Sequence, residues 1–165
     1  ERAQPKENYK KWDIAIVIFM ARVGPLLTVI AAGLDVRFMR SPQVQLGLQV
    51  VALAVMVLGR LLVDWAMVAN KFFSGVVRIQ KDRGHTVVSN GPYRFIRHPG
   101  YAGSLLTILA TPLILGSLWA LIPAGLTAVI TVVRTALEDR TLQDELDGYR
   151  NYAQRVRYRL LPGIW

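Results

Sequence analysis

The sequence contains no cysteine. That absence excludes disulfide frameworks, thiolate zinc sites and cysteine nucleophiles. Charge is also sparse. Asp, Glu, Lys and Arg make up 19% of the 165 residues, below the roughly one quarter usual for a soluble domain. Acidic residues are the scarcer sign, 11 against 20 Lys and Arg, which leaves a net charge of +9. No metal site is expected. What the chain does have is apolar residues, 53% of the total, and a mean hydropathy of +0.33. Its length suits one domain.

The apolar residues fall in runs. The first extends from Asp13 to Leu34 and is interrupted after Asp13 only by Arg22. The second, Val44 to Ala69, is interrupted by Arg60 and Asp64. A third covers Tyr101 to Gly116 and a fourth Leu118 to Val133. About 20 apolar residues cross a bilayer core, so the first two runs are long enough and the fourth nearly so. The third is short, about 24 Å as a helix. Only Gly116 and Ser117 separate the last two runs, which predicts a tight helical hairpin with Pro112 and Pro123 bending its arms. The first run is too long for a signal-peptide core and lacks a small-residue cleavage site, so it reads as a retained span. Gly24-Pro25 predicts a kink within it.

The basic residues give the orientation. Arg2, Lys6, Lys10 and Lys11 precede the first run. Lys71, Arg78, Lys81, Arg83, Arg94 and Arg97 lie between the second and third. Arg134, Arg140, Arg150, Arg155, Arg157 and Arg159 follow the fourth. Four spans with both ends on one side put these sixteen on one face and only Arg37 and Arg40 on the other. The positive-inside rule makes the richer face cytoplasmic. The excess charge is thereby explained without nucleic acid, and no nucleic-acid partner is expected. Trp12, Trp65 and Trp165 suit the membrane interface. Arg22, Arg60 and Asp64 read as a structural cluster inside the spans, with an anionic lipid as the alternative partner of the arginines.

Two cytoplasmic segments have real complexity, Phe72–Gly100 and Arg134–Trp165. In the first, Val76, Val77, Ile79, Val87 and Val88 are β-prone pieces around a turn at Asp82-Arg83-Gly84. Asn90-Gly91-Pro92 is a second turn. Pro99 fits the first position of the following helix, where a missing N–H costs nothing. The free amides of that helix start suit a carboxylate or phosphate. In the second segment Leu142, Leu146 and Tyr149 share a helical stripe, which predicts an amphipathic helix that caps a pocket or lies on the bilayer. Arg155, Arg157 and Arg159 are then placed to meet anionic headgroups.

The string HTVVSNGPYRFIRHPGYAG, His85 to Gly103, closely resembles the signature of the isoprenylcysteine carboxyl methyltransferase family. The wider group includes membrane phospholipid N-methyltransferases. That signature is a His, two aliphatics, a Gly-x-Tyr turn and then Arg-His-Pro-x-Tyr. The family's second block, an arginine followed after three residues by two carboxylates, is similar to Arg134-Thr-Ala-Leu-Glu138-Asp139. The family usually has Glu-Glu there, so Asp139 is a departure and its role stays open. The ending Tyr149–Trp165 also resembles the family's.

The resemblance implies S-adenosylmethionine as cofactor and a membrane-partitioned acceptor. It implies that His85, Thr86, Val87 and Val88 line the cofactor, largely through backbone groups, with Tyr93 packed against it. His98, Pro99, Gly100 and Tyr101 would form the opposite wall. Glu138 would face the cofactor's cationic groups. Arg134 would hold the acceptor, most simply its carboxylate, as a planar fork. Arg134, Glu138 and His98 are the candidate catalytic residues. Arg97 has two readings, the cofactor carboxylate or an anchoring role, to a lipid phosphate or within the helices.

The expected molecule is an all-α integral membrane protein, one domain over 1–165. It has about four spans, two of them in 1–70. A cytoplasmic cofactor-binding connector follows in 71–100, then a helical hairpin in 101–137 and a C-terminal amphipathic helix and tail in 138–165. Its expected place is a bacterial inner membrane or the endoplasmic reticulum, among membrane lipids, with a lipophilic or prenylated acceptor. Alternatives are a lipophilic amine or thiol acceptor on the same fold, an NADPH-dependent sterol-reductase-like enzyme, or a non-enzymatic scaffold or channel. The sterol-reductase reading lacks a dinucleotide glycine motif. The scaffold reading leaves the two signature blocks unexplained.

Overall fold

The apolar runs form helices, as seen in a computed structural model that describes residues 10–39 and 41–165. Arg2, Lys6 and Arg40, used above for orientation, lie outside the described residues. The first span is one rod, Lys11–Phe38. It comprises α1 (Lys11–Ile18), a wider π turn over Phe19–Val23, and α2 (Gly24–Leu34). Pro25 explains the π turn. Its ring would collide with the carbonyl one turn earlier, and widening that turn removes the clash while the helix continues. Then come α3 (Leu46–Ala69), α4 (Pro99–Ile114), α5 (Leu121–Glu145) and α6 (Tyr149–Arg155). The first span, α3 and α5 are long and apolar enough to cross a membrane, and α4 is a shorter apolar helix. At 16 residues it reaches about 24 Å.

The burial pattern is inverted relative to a water-soluble bundle. Buried positions on the spans are small or hydroxylated: Ala52, Ala66, Ala102, Ala110, Ala124, Thr28, Thr127, Thr131 and Thr135. Large side chains such as Leu26, Val36, Leu46, Leu58 and Val68 point outward. A lipid-facing surface accepts Leu and Val at no cost, whereas helix pairs in lipid gain from close backbone approach. The buried threonines are satisfied locally. Thr28, Thr127, Thr131 and Thr135 each donate to the carbonyl four residues earlier, at 2.8–2.9 Å.

Small residues set the packing order. Gly59 of α3 and Gly103 of α4 face each other so closely that a Cβ on either would come within 2.4–2.6 Å of the other's carbonyl oxygen. A Cβ on Gly24 of α2 would strike Thr127 of α5. In space the helices run first span, α5, α4, α3, so the first span and α3 stand at opposite edges. At one end of the row Asp35 accepts from the Ser41 N–H (3.0 Å) and from the Ser41 and Ser117 hydroxyls (2.6 Å each). This ties the two short loops of that face together. At the other end lie the connector between α3 and α4 and the C-terminal segment.

Three expectations need amendment. No ladder forms between the β-prone pieces among the described residues; the connector is extended chain with 3₁₀ turns at Lys81–Arg83 and Gly91–Arg94. The two turns are where the sequence puts them, with Gly84 and Gly91 at positive φ. Secondly, α5 does not end near residue 137 but continues through Glu138 to Glu145. The stripe of Leu142, Leu146 and Tyr149 therefore spans the end of α5, a break at Leu146–Gly148, and the start of α6. Lastly, Pro123 falls in the first turn of α5, where its missing N–H breaks no helical bond.

Candidate active site

The connector, α4, α5 and α6 enclose a cavity of about 300 Å³ at the basic end of the bundle. His85, Thr86, Val87, Val88 and Tyr93 line one side. His98, Gly100 and Tyr101 enter from the start of α4, and Arg134 and Glu138 from α5. Two sequence blocks some 35–50 positions apart thus share one space. Of the residues expected to line the cofactor or hold the acceptor, Pro99 alone is not on the lining; it is buried at the first position of α4. Met20 of the first span and Val63 of α3 line the cavity from the two edges of the row, on the side of the spans.

Thr86, Val87 and Val88 are held in extended chain. Their backbone N–H and C=O groups bond to no other described residue. Main-chain groups beside a cavity need a partner, so these are available to a ligand. The amides of Gly100 and Tyr101 are likewise free, as expected in a first helical turn. His85 stacks on Phe72, ring centroids 4.4 Å apart, and its Nδ1 accepts from the Gln80 N–H at 3.3 Å. Burial, with the Arg83 charge adding to it, lowers the His85 pKa below 6.5. Tyr93 accepts from Asn70 Nδ2 (3.3 Å) and donates to the Ala66 carbonyl (3.4 Å). Burial above all, with the Glu138 charge, pushes its pKa up to about 12, so the phenol stays protonated. Tyr149 and Tyr152 are shifted upward as well, chiefly by burial.

On the α5 side, Glu138 accepts from the Tyr101 hydroxyl at 2.5 Å. Arg134 is buried, and its guanidinium lies over the Tyr101 ring, 5.3 Å from the centroid. The expected planar fork is not open. Asp13, wholly buried in the first turn of α1, holds Arg134 Nε at 2.6 Å and Nη2 at 2.8 Å. Nη2 donates also to the Gly75 carbonyl at 2.8 Å, and Asp13 accepts the Val77 N–H at 2.7 Å. Asp13 is the residue that sequence reasoning missed. An acid at the start of an apolar run looks like a boundary marker, and its partner lies 121 positions away.

Asp139 has a different place. It is fully buried and does not line the cavity. It takes a two-point contact from Arg97 (2.8 and 3.0 Å) and single contacts from Arg159 (2.9 Å), Gln143 (2.8 Å) and Tyr149 (3.0 Å). His98 Nε2 lies 3.1 Å away. Arg97 also donates to the Val156 and Arg157 carbonyls at 2.9 Å. Of the two readings of Arg97, the structure has the anchoring one. It fastens the C-terminal tail behind the cavity wall. Arg159 belongs to the same cluster and stacks on Trp165, so it is engaged within the protein, whereas Arg155 and Arg157 remain exposed. Arg60 and Asp64 pair on the exposed face of α3 (2.9 Å), and Arg22 is exposed on the π turn.

Residues 51–144, more than half of the chain, match the family model of isoprenylcysteine carboxyl methyltransferase. A probable protein-S-isoprenylcysteine O-methyltransferase of Oryza sativa subsp. indica is 35% identical over 114 residues, 64% of this chain and 57% of that one. Methanethiol S-methyltransferase 1 of Bradyrhizobium diazoefficiens is 40% identical over 65 residues, 39% of this chain and 22% of its own. The solved eukaryotic intramembrane Ras methyltransferase, an isoprenylcysteine carboxyl methyltransferase, superposes with a TM-score of 0.69 at 22% identity. The match covers 87% of this chain and 51% of that one. The chain therefore spans about half the length of the rice relative and of the solved structure. The membrane-spanning helical fold is shared, the signature blocks meet in one cavity, and the family model covers both. The chain belongs to the isoprenylcysteine carboxyl methyltransferase family.

Proposed function

We propose that this chain transfers a methyl group from S-adenosylmethionine to the carboxylate of a lipophilic, membrane-partitioned acceptor such as a prenylated cysteine. The observation that carries the reading is one cavity in which His85–Val88, Tyr93, His98, Gly100 and Tyr101 face Arg134 and Glu138. Met20 and Val63 border the same space from the apolar side. A polar donor from water and an acceptor from lipid then reach one point.

The residues present fit the cofactor. The cavity volume is at the lower end of the range for small-molecule sites. The unpaired backbone groups of Thr86–Val88 suit an adenosine, and the free amides at the start of α4 suit an amino-acid carboxylate. Glu138 supplies the negative charge that a sulfonium and an ammonium require. When bound, the cofactor supplies an electrophilic methyl group.

The chain's own residues do the positioning. Arg134 keeps the acceptor carboxylate in place, and Tyr101 fixes Glu138. A carboxylate is ionised near neutral pH, so no general base is required. In-line placement is the main demand on the protein. Both charges would vanish on methyl transfer from a sulfonium to a carboxylate, so lining by apolar connector and α6 side chains such as Val87, Val88 and Tyr152 would favour the transition state. The exposed basic residues of this end, Lys11, Lys81, Arg83 and Arg94 among them, support a cytoplasmic site by the positive-inside rule.

One observation favours a second reading. Asp13 already neutralises Arg134, so the Glu138 carboxylate is not offset by that arginine and suits an acceptor that becomes cationic, a lipophilic amine. One assay decides between them. Membranes carrying the protein are supplied with methyl-labelled S-adenosylmethionine, and the labelled lipids are treated with base. Label released as methanol is expected. Base-stable label would establish the amine or thiol reading, and no labelled lipid would refute both.

A further inference from the structure

A guanidinium grips a carboxylate in two-point fashion along either of two edges, Nε with Nη2 or Nη1 with Nη2. Both edges of Arg134 include Nη2. Its two hydrogens are already engaged, one by Asp13 and one by the Gly75 carbonyl, and the Nε hydrogen goes to Asp13 as well. Nη1 donates to no described residue. No buried side-chain nitrogen or oxygen among the described residues lacks a partner, so Nη1 keeps open surface, and Arg134 lines the cavity.

Removing Asp13 from the arginine would leave a wholly buried carboxylate without its cationic partner, which is strongly unfavourable. An incoming acceptor therefore does not displace it. We infer that Asp13 is a positioning residue that blocks the fork of Arg134, so that an acceptor carboxylate is held at one oxygen by Nη1 alone and its other oxygen stays free as the nucleophile.

The chemistry explains the benefit. A carboxylate whose two oxygens each accept a charge-assisted hydrogen bond is a poorer nucleophile, because both oxygens have lone pairs committed to donors. Two-point binding would hold the acceptor tightly and slow it. One-point binding leaves the second oxygen able to turn toward the methyl group. In the step, that oxygen forms the new bond to carbon and the carbon–sulfur bond breaks. The electron pair remains on sulfur, and no proton moves. The inference rests on the carboxylate reading above.

Two measurements test it. In the wild-type protein with S-adenosylhomocysteine bound, an isotope-labelled lipophilic thioether acid is examined by infrared spectroscopy. One-point binding makes its two carboxylate oxygens unequal, so the separation of the two carboxylate bands should widen relative to the free acid. A narrowed pair, as for two-point binding, would overturn the inference even if the wild type forms ester. In the second, Asp13→Asn releases an edge of the fork. Its kcat should fall about tenfold or more, with the acceptor KM unchanged or lower. S-adenosylhomocysteine affinity should stay the same, and Asp13→Glu should restore much of kcat. An unaltered kcat, or kcat and KM worsening together without rescue by Glu, would overturn it. A wild type that forms no base-labile ester sinks the underlying carboxylate reading instead. The infrared experiment does not require the variant to fold.

Discussion

At the scale of single residues, adjacent acids on α5 have opposite tasks. Glu138 faces the cavity, while Asp139 is turned one position round the helix into a fully buried cluster of Arg97, His98, Tyr149 and Arg159. Glu138→Gln keeps the shape and removes the charge. It should weaken S-adenosylhomocysteine binding about tenfold by calorimetry, with little change in melting temperature. Asp139→Ala should do the reverse. It strands the buried Arg97 charge and removes the partner of the part-exposed Arg159, and a loss of roughly 3–5 kcal/mol is expected in thermal or denaturant unfolding. Sequence placed both acids as a pair but left the second open, because only the fold shows which side of α5 each one faces. Asp13 lay further out of reach, since nothing local marks a contact across 121 positions.

His85 adds a dependence on pH. Its folded pKa is below 6.5, so the unfolded chain binds the proton more readily. The stability that goes with the neutral ring is complete above pH 6.5 and is lost as pH falls through the folded value. Melting temperature should thus decline on acidification below pH 6.5, and His85→Gln should flatten that part of the curve. An equal decline in the variant would remove His85 as the cause.

At the scale of elements, the spans were legible because an apolar run long enough for a bilayer leaves few alternatives. The end of α5 was not. Hydropathy falls at Arg134, yet a helix does not stop where the lipid does, and α5 continues to Glu145 because the Glu138 and Asp139 side chains find partners inside the protein. The β-prone connector pieces also misled. The Val77 backbone is engaged by Asp13 and Lys10 and the Val76 N–H by the Ser74 hydroxyl, while Val87 and Val88 leave theirs open beside the cavity. The α3–α4 pair depends on Gly59 and Gly103. Gly103→Val would place a methyl group against the α3 backbone and should cost about 2–3 kcal/mol or more, read as a lowered melting temperature. Gly125→Ala, at a site with open space, should leave it unchanged.

At the scale of the molecule, the absence of cysteine makes the orientation directly testable. Single cysteines at Lys81, in the connector, and at Leu118, in the α4–α5 turn, should be labelled by an impermeant maleimide from opposite sides of the membrane. Reaction of Lys81→Cys from the cytoplasmic side is expected. Labelling of both from one side would contradict the bundle's placement across the bilayer. The charge count gives an orientation that this labelling tests, whereas the lateral order of helices came only from the fold.

The Asp35 cluster has a mechanical consequence. It laces the Ser41 loop to the Ser117 turn at the end remote from the cavity, while the first span and α3 occupy opposite edges of the row. With Asp13 clasping Arg134 and the Val77 N–H at the cavity end, the first span is hooped to its neighbours at both rims, as staves are in a cask.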